Sequence, residues 1–151
     1  MNKSTWDYLY VTIQFILFIA YILPITALRF STYEILKTIG LITLILGILI
    51  GIISLLHLNK NLSPFPTPVS GGKLIQVGIY KYVRHPIYTG ILLAFFGYGL
   101  HTGSGYKLII SLALLILFFF KSKYEEKKLK SIFVDYSMYK KRTGRFLPKL
   151  F

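Results

Sequence analysis

Residues 8–28 run for 21 positions without a charged side chain, and further apolar stretches follow at 38–56, 87–106 and 108–120. Runs of this length cannot hide inside a chain of 151 residues folded in water. They read as membrane-crossing helices, because a helix satisfies its own backbone polar groups where no water is present. The expected fold is an all-α integral membrane protein with about four transmembrane helices. The last two form a hairpin around Thr102-Gly-Ser-Gly105, and each of their apolar cores is shorter than a full span needs.

Several features refine this plan. Pro24 is expected to kink the first helix near its far end. The opening MNKSTWD lacks a clear basic leader and cleavage site, so the first helix reads as a retained anchor. Gly47 and Gly51, four residues apart, would let another helix approach closely, within or between chains, so oligomeric state stays open. Residues 1–56 read as an N-terminal transmembrane hairpin. Residues 57–151 read as the functional core, and the whole as one structural domain. The link at 57–86 contains Pro64, Pro66, Pro68 and Pro86, which forbid a continuous helix there. Beyond Phe120 the sequence KSKYEEKKLKSIF has good helix formers and no breaker, so the fourth helix should continue out of the membrane.

The net charge is +13. In a soluble chain that would point to nucleic acid. Here the cations sit beside the apolar runs: four in the 57–86 link and ten in the tail from Lys121, against two and one in the other two links. That asymmetry indicates contact with the lipid bilayer, not nucleic acid, with both termini in the cytosol. Cysteine is absent, which removes disulfides, thiolate metal sites and a cysteine nucleophile. The three histidines are scattered without acids beside them, so no metal site is expected. Phosphate-binding loops, dinucleotide fingerprints and nucleophile elbows are missing too.

Chemistry concentrates in two places. Arg84-His85-Pro86 stands where the basic link meets the third apolar run. Proline holds His85 extended and opens a helix, whose free N–H groups suit an anion. Glu125-Glu126 follows the fourth run. Taken alone, the pair fits a solvated helix with i,i+4 partners such as Glu126 and Lys130; alternatively one carboxylate faces a site. The basic, aromatic tail at 139–148 fits either phosphate-bearing headgroups or a plain lipid-surface anchor.

Together these pieces resemble the membrane methyltransferases related to isoprenylcysteine carboxyl methyltransferase and phospholipid methyltransferase. The shared pattern reads Gly78-Ile-Tyr80-Lys-Tyr-Val-Arg84-His85-Pro86-Ile-Tyr88, then Glu125-Glu126, Tyr136-Ser-Met-Tyr139-Lys-Lys-Arg142 and Arg145-Phe-Leu-Pro148. It covers about residues 70–148. The resemblance implies methyl transfer from S-adenosylmethionine to a lipophilic or membrane-associated acceptor, with a carboxylate, amine or thiol all open. It implies cofactor contacts from Gly72, Lys73, Leu74, Ile75 and Tyr80, from His85, Pro86, Ile87 and Tyr88, and from Glu125 or its neighbour Glu126. It puts His85, Glu125 and Lys121 at the chemistry, and Lys121, Arg142 and Arg145 on the substrate side. Lys121 stands where the family carries arginine, so a bidentate clamp on a carboxylate is lost. Phe133-Val134 stands where Phe-Gly is usual.

Such roles suit the residues. Glu125 fits a cofactor ammonium or ribose hydroxyls, and Tyr80, Tyr82 and Tyr88 offer aromatic faces. Only His85 or a glutamate could act as a base, and an anionic acceptor needs none. The main rival is a non-enzymatic membrane module whose basic tail binds anionic lipid or a partner protein. A transporter subunit would need polar groups at mid-membrane, and few exist.

Overall fold

In a computed structural model, which describes residues 3–149, the regular elements are all helices. Its elements are α1 (Thr5–Ile22), α2 (Glu34–Leu58), α3 (Pro86–His101), α4 (Gly105–Ile132) and α5 (Tyr136–Arg142). Short 3-10 turns at Asn59–Asn61 and Gly78–Lys81 punctuate the long link. No strand forms among the described residues, only isolated bridges between Arg29 and Ser104 and between Val83 and Gly144.

Helices α1, α2 and α4 are long and apolar enough to cross a membrane. Their outward side chains are apolar: Ile16 is 58% exposed, Leu56 73% and Ile116 61%. Water would not tolerate so much contiguous apolar surface, whereas lipid is the solvent it requires. Helix α3 has 16 residues, about 24 Å at 1.5 Å per residue, short of a full hydrocarbon core. Helix α4 runs unbroken for 28 residues, so it carries Glu125 and Glu126 beyond the apolar run as expected.

Pro24 does not kink α1. The helix ends at Ile22, and Leu23, just before the proline, is already extended (φ −57°, ψ 136°). Proline's ring disfavours a helical residue ahead of it, and no further turn follows to repair the break.

The helices pair as α2 with α3, α3 with α4, and α4 with α1. Thus α1 and α2, consecutive in sequence, pack on different partners. Helix α2 lies against α3 along a glycine seam. A Cβ on Gly47 would sit 2.3 Å from the Ala94 nitrogen, and one on Gly97 would sit 2.4 Å from the Leu44 nitrogen. Gly40 and Gly90 extend the seam at seven-residue spacing, so the backbones themselves touch. Gly47 meets α3 of the same chain, and Gly51 receives Gly90.

The ends of the bundle differ. At one, the α1–α2 link is stitched to the α3–α4 turn by Phe30 N–H to Gly103 O and Gly105 N–H to Leu28 O, both 2.9 Å. At the other gather the start of α1, the end of α2, the proline-rich link, the start of α3, the extension of α4 and the tail. Asp7 ties three of these together. Its carboxylate, fully buried, accepts from Thr67 N–H (2.9 Å), Thr67 Oγ1 (2.6 Å), Ser4 N–H (2.7 Å) and Lys128 Nζ (3.0 Å).

Candidate functional site

The Arg84-His85-Pro86 segment is fixed by the tail. Arg84 N–H donates to Gly144 O (2.9 Å), His85 N–H to Arg145 O (3.1 Å), and Gly144 N–H returns to Tyr82 O (3.0 Å). Thr89 Oγ1 donates to Phe146 O (2.7 Å) and Tyr139 Oη to Tyr80 O (2.7 Å). His85 caps α3 with Pro86 as its first helical residue, the position where a missing N–H costs nothing.

The two adjacent glutamates part company. Successive residues on a helix point about 100° apart, so one turns inward while its neighbour faces the cleft. Glu126 is buried among Lys140 Nζ (2.7 Å), Arg84 Nε (3.0 Å), Arg145 Nε (3.2 Å) and His85 Nε2 (3.4 Å). It lies past Phe120, outside the apolar run. Burial pushes its carboxyl up, but His85, Lys140 and Arg84 outweigh that and hold it well below the usual range. Glu126 is the counter-ion around which the link, α4 and the tail assemble. Glu125 instead accepts from Tyr88 Oη (3.0 Å), lies 3.7 Å from His85 Nδ1, and lines open space.

That space consists of two adjoining clefts. The first is lined by Gly72, Lys73, Leu74 and Ile75, by Asn61 and Phe65, and by Leu129, Phe133, Tyr136 and Tyr139, and encloses about 690 Å3 including its open mouth. The second encloses about 800 Å3 and is lined by Gln14, Leu62, Pro64, Ile87, Tyr88, Ile91 and Lys121. Leu58, Ser63, Tyr80, Arg84, His85 and Glu125 line both. Lys121, 1% exposed, donates to Gln14 Oε1 (2.5 Å) and Pro64 O (2.8 Å) and lies 5.4 Å from the Tyr88 ring centre. The rings of His85, Tyr88 and Phe118 stack nearly parallel, with Tyr88 and Phe118 centroids 4.4 Å apart.

Two polar atoms at the first cleft lack partners. His85 is 6% exposed, and its Nε2 makes no hydrogen bond among the described residues, the 3.4 Å approach to Glu126 being misaligned. The Tyr136 hydroxyl is likewise buried and unpaired. Burial raises the Tyr136 and Tyr80 phenols and pushes Tyr139 up to about 12, so all three remain protonated at neutral pH. Unsatisfied buried polar groups are uncommon and costly. Here they flank a cleft that a ligand with hydrogen-bonding groups would complete.

The structure therefore brings together Gly72, Lys73, Leu74, Ile75, Tyr80, His85 and Glu125 at the first cleft, and Ile87, Tyr88 and Lys121 at the second. Pro86 is fully buried at the helix start and lines neither. Arg145 is spent on Glu126 and the Phe119 ring. Arg142 lines a separate hollow with Lys81 and Tyr82. Sequence reading did not assign Arg84, Tyr136 or Gln14 to the site. Gln14 left one signal, being the single amide in the first apolar run.

Fold and site define an all-helical integral membrane protein with a two-chambered cleft at one end of its bundle. A match to the phospholipid methyltransferase family spans residues 35–135. The chain belongs to that family. It is also 33% identical over 86 residues to the cobalt-zinc-cadmium resistance protein CzcN of Cupriavidus metallidurans, an alignment covering 54% of this chain and 40% of that protein. The chain thus spans about two fifths of the length of the curated relative it matches.

Proposed function

We propose that the protein transfers a methyl group from S-adenosylmethionine to a lipophilic acceptor drawn from the bilayer. The observation that carries this reading is the pair of clefts meeting at one wall of Tyr80, Arg84, His85 and Glu125. One chamber is built from the link and tail, where a polar cofactor would arrive. The other reaches Gln14, Tyr88 and Ile91 among the helices, where an apolar tail would lie.

In this reading the backbone of residues 72–75 and the faces of Tyr80 and Phe65 hold the cofactor. His85 Nε2 and the Tyr136 hydroxyl donate to its oxygens, and Glu125 accepts from its ammonium or ribose hydroxyls. When bound, the cofactor supplies an electrophilic methyl group on a sulfonium sulfur. The contribution of the chain is alignment of two reactants from two phases, which alone can supply several kcal/mol of barrier lowering. His85 and Glu125, 3.7 Å apart, are also placed to take a proton from a neutral acceptor. Lys121 carries positive charge into the acceptor chamber. The cation-rich end, with its ten basic residues after Phe120, would face the cytosol together with both termini.

Titration calorimetry of S-adenosylmethionine against detergent-purified protein tests the reading, with His85→Ala and Glu125→Gln as controls. Saturable heat that both substitutions diminish is expected. No heat from folded wild-type protein would sink it. Labelled-methyl transfer to carboxylate, amine and thiol amphiphiles then identifies the acceptor atom.

A further inference from the structure

Gln14 lies in α1, outside the stretch that matches the family, yet lines the acceptor chamber. It is 8% exposed. A buried amide in a membrane helix is expensive unless partnered. Its partner is Lys121, at 2.5 Å.

The chemistry of that contact fixes which way the amide points. An ammonium has three donors and no acceptor. Gln14 must therefore turn its carbonyl oxygen to Lys121 and its NH2 group away. That NH2 makes no hydrogen bond among the described residues, and the side chain lines the second cleft. Lys121 spends two of its three N–H bonds on Gln14 and Pro64. No carboxylate lies within ion-pair distance of its nitrogen among the described residues. Gln14 and Lys121 thus present three free N–H groups, with no carboxylate within ion-pair distance of the lysine among the described residues. Glu125, the one acid lining the chamber, sits on the wall shared with the first cleft and is already engaged by Tyr88.

We propose that Gln14 is a specificity-determining residue. With Lys121 it forms a donor-only station that receives the anionic head of an amphiphilic acceptor and turns away an ammonium head. Gln14 positions Lys121 as well, because its carbonyl holds the ammonium in the chamber. The substrate role rests on the methyltransferase reading, whereas the head-group selectivity is a binding property that can be read without any cofactor.

The test uses two probes of equal chain length, tetradecanoate and tetradecylammonium, titrated into purified protein in a non-ionic detergent. Wild type should bind tetradecanoate at least tenfold more tightly than the amine. Gln14→Glu keeps an acceptor for Lys121 but removes both free donors and neutralises the station. It should lose that preference or invert it. Gln14→Leu should weaken tetradecanoate binding severalfold. Helical circular dichroism and gel filtration confirm that each variant is folded, and the Glu variant, which retains the lysine's partner, guards against a collapsed chamber. S-adenosylmethionine heats should be unchanged in both, since Gln14 does not line the first cleft. Equal binding of tetradecanoate by wild type and both variants overturns the proposal, as does a wild-type preference for the amine or no binding of either probe. A selectivity shift in protein that gives no cofactor heat would uphold the station while rejecting the methyltransferase reading.

Discussion

Glu125→Gln and Glu126→Gln, chemically identical changes at neighbouring positions, should fail in opposite ways. Glu126 is contacted by four basic groups at 2.7 to 3.4 Å. Removing its charge leaves Arg84 buried without a counter-ion. Breaking a buried pair from one side costs about 3–5 kcal/mol. Lys140 is half exposed and can swing into water, and Arg84 keeps its bonds to the Lys140 and Thr143 carbonyls, so the lower end, about 3 kcal/mol, is expected. For a chain of this size that is a fall in melting temperature of roughly 10 °C. Glu125 is partly exposed, and its Tyr88 bond survives in the amide, so Glu125→Gln should cost under about 1 kcal/mol of stability. Its cofactor affinity should instead drop by about 1.5–3 kcal/mol, the worth of a charge-assisted hydrogen bond, or roughly tenfold to a hundredfold. Thermal melts in detergent and calorimetry at low temperature read the two quantities separately. A Glu126→Gln protein that melts with wild type, or a Glu125→Gln protein that melts early yet binds the cofactor normally, would refute the division of labour.

Four further outcomes follow from the geometry. Gly97→Leu forces side-chain volume between backbones that touch, so detergent stability should fall by at least ~2 kcal/mol. Gly51→Ala, whose Cβ meets nothing within 4 Å, should be neutral or slightly stabilising by helix propensity. Asp7→Asn should loosen the proline-rich link, seen as faster amide exchange at residues 63–69 with little change in the membrane helices. Glu126 titrates lower in the folded chain than in the unfolded one, so its stabilisation is complete above the ordinary value of 4.5 and is lost as pH falls below it. Melting temperature should therefore drop as pH falls from about 5 to about 3, and Glu126→Gln should flatten that slope.

Much of the fold was legible because lipid demands long apolar helices and punctuates them with few residues. The start of α3 at Pro86 and the continuation of α4 through Glu126 follow from local rules, and the resemblance marked seven residues that do line the first cleft. Helix partnership was harder to read. Helices that are apolar on every face carry no stripe to show which side packs, so nothing in α1 announced that it would lie on α4 and leave α2 to α3. The seven-residue glycine spacing was the available clue, and it is weaker than the Gly47–Gly51 pair that draws the eye. Adjacent glutamates could not be told apart, since which one faces inward depends on how α4 is rotated. Gln14 showed only as an oddity, because its partner stands 107 residues away.

The pairing of Arg84 and His85 with Gly144 and Arg145 has a consequence for the order in which the molecule is made. The apolar helices can enter the bilayer as they emerge from the ribosome, each satisfied by its own backbone. The cleft cannot form with them. Its shared wall waits for a tail segment synthesised about 60 residues after Arg84, and closing so long a loop is entropically worthwhile only once Glu126 is in place to gather the cations. Until then Arg84 lacks its carbonyl partners in the tail and His85 its backbone acceptor. The site is therefore complete only after the tail has been made and has docked on residues 82–85.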